Sequence, residues 1–148
     1  MKATGLTHGA FYNHFESKKN LISESIEDAS ARLLDFMKES PASGKPTTQY
    51  VDRYLTEQHR DERGDGCLIA ALGSEIAREP AAQAAFTRHV EGTLKGLTEP
   101  LAKAKKKNAR RDAIHTLSSI VGAIILARAV DDPELSEEIL REVRAVLD

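Results

Sequence analysis

At 148 residues, with 41% hydrophobic and 30% charged residues, the chain has the composition of a soluble globular protein of one or two small domains. Its formal charge of −2 excludes general affinity for nucleic acid across the whole surface and confines any such contact to a local patch. A single cysteine excludes an internal disulfide, and the first residues do not read as a cationic-then-apolar secretory leader, so a cytoplasmic location is expected.

The first element in chain order is GLTHGAFYNHFES, residues 5–17. Gly5 suits the left-handed residue that closes a helix, and the Thr7 hydroxyl is placed to cap the first free amides of the next one. In the two turns that follow, Phe11 and Phe15 share a face with Leu6, while His8, Ala10, Tyr12, Asn13 and His14 spread over the rest. A short helix with one packed face and one small, polar face suits a DNA major groove. Within the first twenty residues Lys2, Lys18 and Lys19 outweigh Glu16, so the local charge is positive.

The pattern G-L-T-x-G-x-F-Y-x-H-F-x-S-K-x-x-L, residues 5–21, resembles the TetR family of transcriptional regulators at every fixed position. The resemblance implies a helix-turn-helix head on a helical ligand-binding and dimerisation body, acting as a ligand-responsive repressor. It assigns base reading to His8, Gly9 and Asn13, and phosphate contacts to Thr7, Tyr12, His14 and Lys18, whose hydroxyl, phenol, imidazole and ammonium groups position rather than specify. Family members carry a first helix and most of a second before this glycine, whereas four residues precede it here. The expectation is a partial head, N-terminally truncated, with operator DNA as the partner of the intact form.

Residues 17–40 follow as a long amphipathic helix, with Ser17 as its cap and Leu21, Ile22, Ile26, Ala29, Leu33 and Met37 at helical spacing. Such a helix can act as a lever between two bodies. PASGKPT, residues 41–47, reads as a loop. A helix from Thr48 carries Val51, Tyr54 and Leu55 and is expected to end near His59, before the charged loop RDERGDG. That loop fails as a calcium site, because Arg63 and Leu72 stand where oxygen ligands are required. Cys67 then opens an apolar helix expected to run to Pro80. A lone thiol at a helix start is either an electrophile or oxidant sensor or a small buried residue. The stretch YLTEQHRDERGDGCLIAALGSEIA also resembles the ligand domain of a TetR-family subgroup.

Residues 81–104 form a further helical stretch with Phe86, Val90, Leu94, Leu97 and Leu101 on one stripe, and Pro100 implies a kink or break near its end. KAKKKNARR, residues 103–111, holds six cations and no acid, and reads as a solvated connection between helices or as a surface for phosphate or an anionic membrane. Beyond it, Ile114, Leu117, Ile120, Val121, Ile124 and Ile125 make a helix apolar almost all round, and the apolar run 120–127 is too short to span a bilayer, so no membrane partner is expected. Asp131, Asp132 and Pro133 turn the chain into a last amphipathic helix. Two such helices from each of two subunits would form a four-helix homodimer interface through Leu117, Val121, Ile124, Ile125, Leu135, Ile139 and Val143, as the family resemblance also implies.

The five histidines lie on separate elements without metal-ligand spacing, and no nucleophile elbow or phosphate loop is present. No cofactor, metal or enzymatic activity is therefore expected. The fold expected is all-α and TetR-like, with residues 1–40 as the partial head and connecting helix and residues 41–148 as the ligand-binding and dimerisation body. An unknown small-molecule effector is expected there, with Tyr54, His59, Cys67, Phe86 and His89 as candidate contacts. The alternative is a dimeric small-molecule or thiol-sensing module that does not bind DNA in this form.

Overall fold

The computed structural model describes residues 18–39, 47–62 and 66–147, and among these the chain is all-α, with no strand. Seven helices follow one another: α1 (Lys18–Glu39), α2 (Thr48–Tyr54), α3 (Glu57–Asp61), α4 (Leu68–Ile76), α5 (Pro80–Lys103), α6 (Ala109–Ala129) and α7 (Pro133–Leu147). The helix expected from Thr48 to His59 is broken. Leu55 and Thr56 leave helical geometry, and the Thr56 hydroxyl accepts the His59 amide at 3.1 Å, capping α3 as a separate turn. The apolar helix after Cys67 also ends earlier than expected, at Ile76, and Pro80 instead sits in the first turn of α5, where its missing N–H costs nothing.

The seam between α1 and α5 brings the long connecting helix against the body. Along it, Glu27 meets Arg88, Ser30 meets His89, Leu34 lies over Gly92 and Met37 over Gly96, so the two helices run in the same direction. A Cβ at Gly96 would overlap the Met37 sulfur, so that flexible side chain would have to move aside. Ile26 is fully buried where α1, α4 and α5 meet, in a small cluster with Ile76, Ala82 and Ala85, flanked by Ile22, Leu72 and Phe86.

The main core lies between α2, α5, α6 and α7, centred on Val51, Leu97, Ile120 and Ile124. Burying a side chain of this size stabilises the fold by roughly 1.5–3 kcal/mol. Asp52 on α2 pairs with Arg144 on α7 at its edge. Pro100 does not break α5, although it offers no N–H to the Gly96 carbonyl. Termination comes instead from Lys105, at φ 59°, whose amide bonds the Ala102 carbonyl while the Lys106 amide bonds that of Leu101. These two bonds form a Schellman motif with lysine where glycine is usual.

Helix α6 is 21 residues long and, by length and composition, apolar enough to cross a membrane, with a mean hydropathy of 1.3 in its most apolar window. The run 120–127 understated its reach, because Ala, Thr, Ser and Gly extend the apolar stretch without adding charge. Here one face of α6, including Ala113, Thr116, Ile120, Ala123 and Ala127, is buried against the rest of the protein. Its N-terminal turn carries Arg110, Arg111 and Asp112.

Candidate functional site

Two tyrosines one helical turn apart begin the site. Tyr50 and Tyr54 on α2 stack with ring centroids 4.3 Å apart, and the cap at Thr56 turns the chain so that the His59 ring meets Tyr54 edge-on at 4.5 Å. Cys67, 3% exposed, closes the group from the start of α4. Arg128, from the last turn of α6, reaches across and donates from Nε to the Arg60 carbonyl at 2.9 Å and from Nη2 to the His59 carbonyl at 2.8 Å. Those carbonyls belong to the final turn of α3. Gly66 makes room for the guanidinium, since a Cβ there would stand 2.7 Å from Nη2.

The electrostatics of this group keep its titratable side chains neutral. Burial pushes the Tyr54 phenol up to about 12 and the Tyr50 phenol well above its ordinary value. Burial also raises the Cys67 thiol, and it prevails over the amides of Ala70 and Ile69 and the Arg128 charge, all of which favour thiolate. The His59 imidazole is pushed down, first by burial and then by the Arg128 and Arg53 charges. Its Nε2 is buried and, among the described residues, has no hydrogen-bond partner. A neutral imidazole nitrogen left in this way can accept an N–H or O–H.

On the far side of the same guanidinium, Arg60, Arg128, Asp131, Asp132 and Ser136 line an open cleft of about 240 Å³. Arg60 is held there by Asp61 at 2.7 Å and by the Ser136 hydroxyl at 3.0 Å. The Ser136 hydroxyl in turn donates to the Ala127 carbonyl at 2.7 Å. The corner between α6 and α7 is therefore tied to α3 by two arginines. Asp132 fixes the same corner by accepting the Glu134 and Leu135 amides with its Oδ1.

Of the five residues named as ligand contacts, Tyr54, His59 and Cys67 come together here. Phe86 lies in the separate cluster with Ile26 and Ile76. His89 is buried in the α1–α5 seam, with Nδ1 2.7 Å from the Ser30 hydroxyl. That hydroxyl donates to the Ile26 carbonyl, so the His89 Nδ1–H is the donor of the pair. Sequence reasoning missed Tyr50, whose spacing from Tyr54 was legible, and Arg128, whose partners lie 68 and 69 residues away.

The DNA-contact residues Thr7, His8, Gly9, Tyr12, Asn13 and His14 lie outside the described residues, and so does the side chain of Lys18, the first residue of α1. Among the interface residues expected on α6, Leu117 and Ile124 are buried in the protomer's own core, at 6% and 0% exposure. Val121, Ile139 and Val143 are half-buried, and Ile125 and Leu135 are exposed. The apolar side chains on the outer surface of α6 and α7 are Ile114 (44%), Ile125 (46%), Leu126 (55%), Leu135 (41%) and Val146 (85%).

Comparison with known proteins places the architecture. No family model and no curated protein matches the chain. Among solved structures, a crystal structure of E. coli NemR in its reduced form superposes with a TM-score of 0.78 at 19% sequence identity, covering 99% of this chain and 81% of that one. At this identity the likeness is one of fold, and the all-α fold of this chain is that of NemR.

Proposed function

We propose that the chain is the effector-binding and dimerising part of a TetR-family transcriptional repressor, with residues 5–18 as the closing portion of its DNA-reading head. The observation that carries this reading is α1. Its described span opens with Lys18, the last polar residue of the TetR-like pattern, and runs as one uninterrupted helix whose later turns pack along α5. A displacement of α5 within the body is therefore passed to whatever precedes Lys18. The fold shared with NemR and the apolar outer face of α6 and α7 support the same reading.

In this mechanism a symmetric dimer sets two reading heads about one DNA turn, roughly 34–36 Å, apart. An effector acts by binding more tightly to the arrangement in which the heads no longer match that spacing. The site offers an incoming effector a hydrogen-bond acceptor at His59 Nε2, beside the Tyr50 and Tyr54 rings. A covalent electrophile is disfavoured, because the Cys67 thiol is buried and held protonated. The reading includes no enzymatic step and a cytoplasmic setting.

The test is binding to DNA from upstream of the protein's own gene at two salt concentrations, for this chain and for one bearing a family-type first helix ahead of Met1. Affinity in the longer chain that falls steeply with salt is the expected result. Silence of both chains, with the dimer intact, would overturn the regulator reading in favour of an effector-binding module.

A further inference from the structure

Helix α3 is attached to the protein differently from its neighbours. Helix α2 before it buries Tyr50, Val51 and Tyr54, and α4 after it buries Ile76, whereas none of the five residues of α3 is buried. Its sequence, EQHRD, offers no aliphatic side chain to a core. Glu57, Gln58 and Asp61 are exposed, while the His59 ring lies on Tyr54. The ties described from α3 to α6 and α7 are polar: Arg128 donates to the His59 and Arg60 carbonyls, and the Arg60 guanidinium donates to the Ser136 hydroxyl.

A short helix with no buried apolar side chain, held over a buried group by hydrogen bonds, belongs to the part of a fold that opens most readily. Two opposed effects set how readily. Opening gives water to the His59 Nε2, which in the closed arrangement is buried and has no partner among the described residues. Closing is favoured by the Arg128 guanidinium, whose planar fork bridges two carbonyls in one fixed geometry. A hinge lies at the N-terminal side of α3. Leu55, 3% exposed, stays anchored in the main core, and the backbone leaves helical geometry there before Thr56 starts the next turn. The same guanidinium lines the open cleft beside Asp131 and Ser136, so it stands between that cleft and the buried group.

We propose that α3 is a lid over Tyr50, Tyr54 and Cys67, hinged at Leu55 and Thr56 and latched by Arg128. It opens as a unit while the surrounding helices stay folded, and the buried group then reaches solvent through the cleft at the α6–α7 corner. The opening stands on the contacts of α3 alone; its use, to admit an effector, rests on the effector-site reading above. A molecule that donates a hydrogen bond to His59 Nε2 removes the penalty of the closed arrangement, so once inside it holds the lid shut.

Cys67 is the chain's single cysteine, and its alkylation by iodoacetamide over a series of urea concentrations below the unfolding transition reads the opening. A local opening exposes little surface, so the wild-type rate should be nearly independent of urea. Arg128→Gln should raise that rate about tenfold or more. Gly66→Ala should raise it too, because the added Cβ displaces the same guanidinium without removing it. Leu101→Val, in the core beside the α5–α6 turn and at the far end of α6 from Arg128, lowers global stability and should leave the native rate unchanged. A wild-type rate that climbs with urea as steeply as global unfolding would overturn the lid. So would a rate that Leu101→Val raises as much as Arg128→Gln does, or labelling at the free-thiol rate in every variant. None of these readouts involves DNA, so their failure leaves the regulator reading standing, and a failure of DNA binding leaves the lid standing without its use.

Discussion

Two regions of this protein each bury a histidine, and they do so in opposite ways. In the α1–α5 seam His89 gives its Nδ1–H to Ser30, which passes its own proton to the Ile26 carbonyl, so the ring completes a chain of bonds between two helices. At the α2–α4 site His59 is held by ring contact with Tyr54, and its buried Nε2 has no partner among the described residues. A buried polar atom with its bond made contributes about 1 kcal/mol, whereas one without costs about 1–3 kcal/mol. The first arrangement holds the lever in place. The second is the kind of local cost that persists where binding relieves it.

The largest expected effect concerns access to the site. If α2, α4 and α6 enclose Cys67 as tightly as its 3% exposure implies, alkylation in the native state should be slower than that of a free thiol by on the order of 10²–10³-fold. Denaturant should abolish the difference. Labelling with iodoacetamide followed by mass spectrometry measures it, and native labelling at the free-thiol rate would reinstate the thiol-sensing reading. In that case the contrast between a sealed seam and a relieved site would need to be redrawn as one between two mobile regions.

The contrast itself is sharpened by paired substitutions. Ser30→Ala strands the His89 Nδ1–H and should cost about 1–3 kcal/mol in urea unfolding, while His59→Phe keeps the edge contact with Tyr54, removes the unpaired nitrogen and should be neutral or mildly stabilising. Both histidines are pushed below their ordinary value, His89 by burial and His59 by burial with Arg128 and Arg53. The unfolded chain then takes up protons first as the pH falls. Stability should decline as the pH falls below the ordinary histidine value of about 6.5 and level off below the folded-state values. The chain carrying both His59→Phe and His89→Gln should lose that slope, and retention of the full slope would place its origin elsewhere.

Much of the framework was legible in the residues. The period of Leu21, Ile22, Ile26 and Leu33 marks α1, whose described span, Lys18–Glu39, lies within the residues 17–40 expected. The break at Leu55 and Thr56 was not legible, because a single hydroxyl cap competes with helix continuation on nearly even terms. For α6, an almost uniformly apolar sequence gives no periodic signal for which side faces inward. Ile124 and Ile125 are adjacent and identical in type, yet one is sealed and the other half-open. Arg128 was invisible for a different reason: its partners are backbone carbonyls, which carry no sequence signature at all.

The smallest effect lies far from both histidines and tests whether the α5–α6 turn is set by backbone geometry or by its charges. Lys105 holds φ 59°, a conformation that costs a residue with a Cβ roughly 1–2 kcal/mol and glycine almost nothing. Lys105→Gly removes that strain but also adds freedom to the unfolded chain, so the net gain should be about 0.5–1 kcal/mol, read as a rise in the urea midpoint at unchanged slope. A loss of stability would mean that the Lys105 ammonium does more for the protomer than its backbone strain costs.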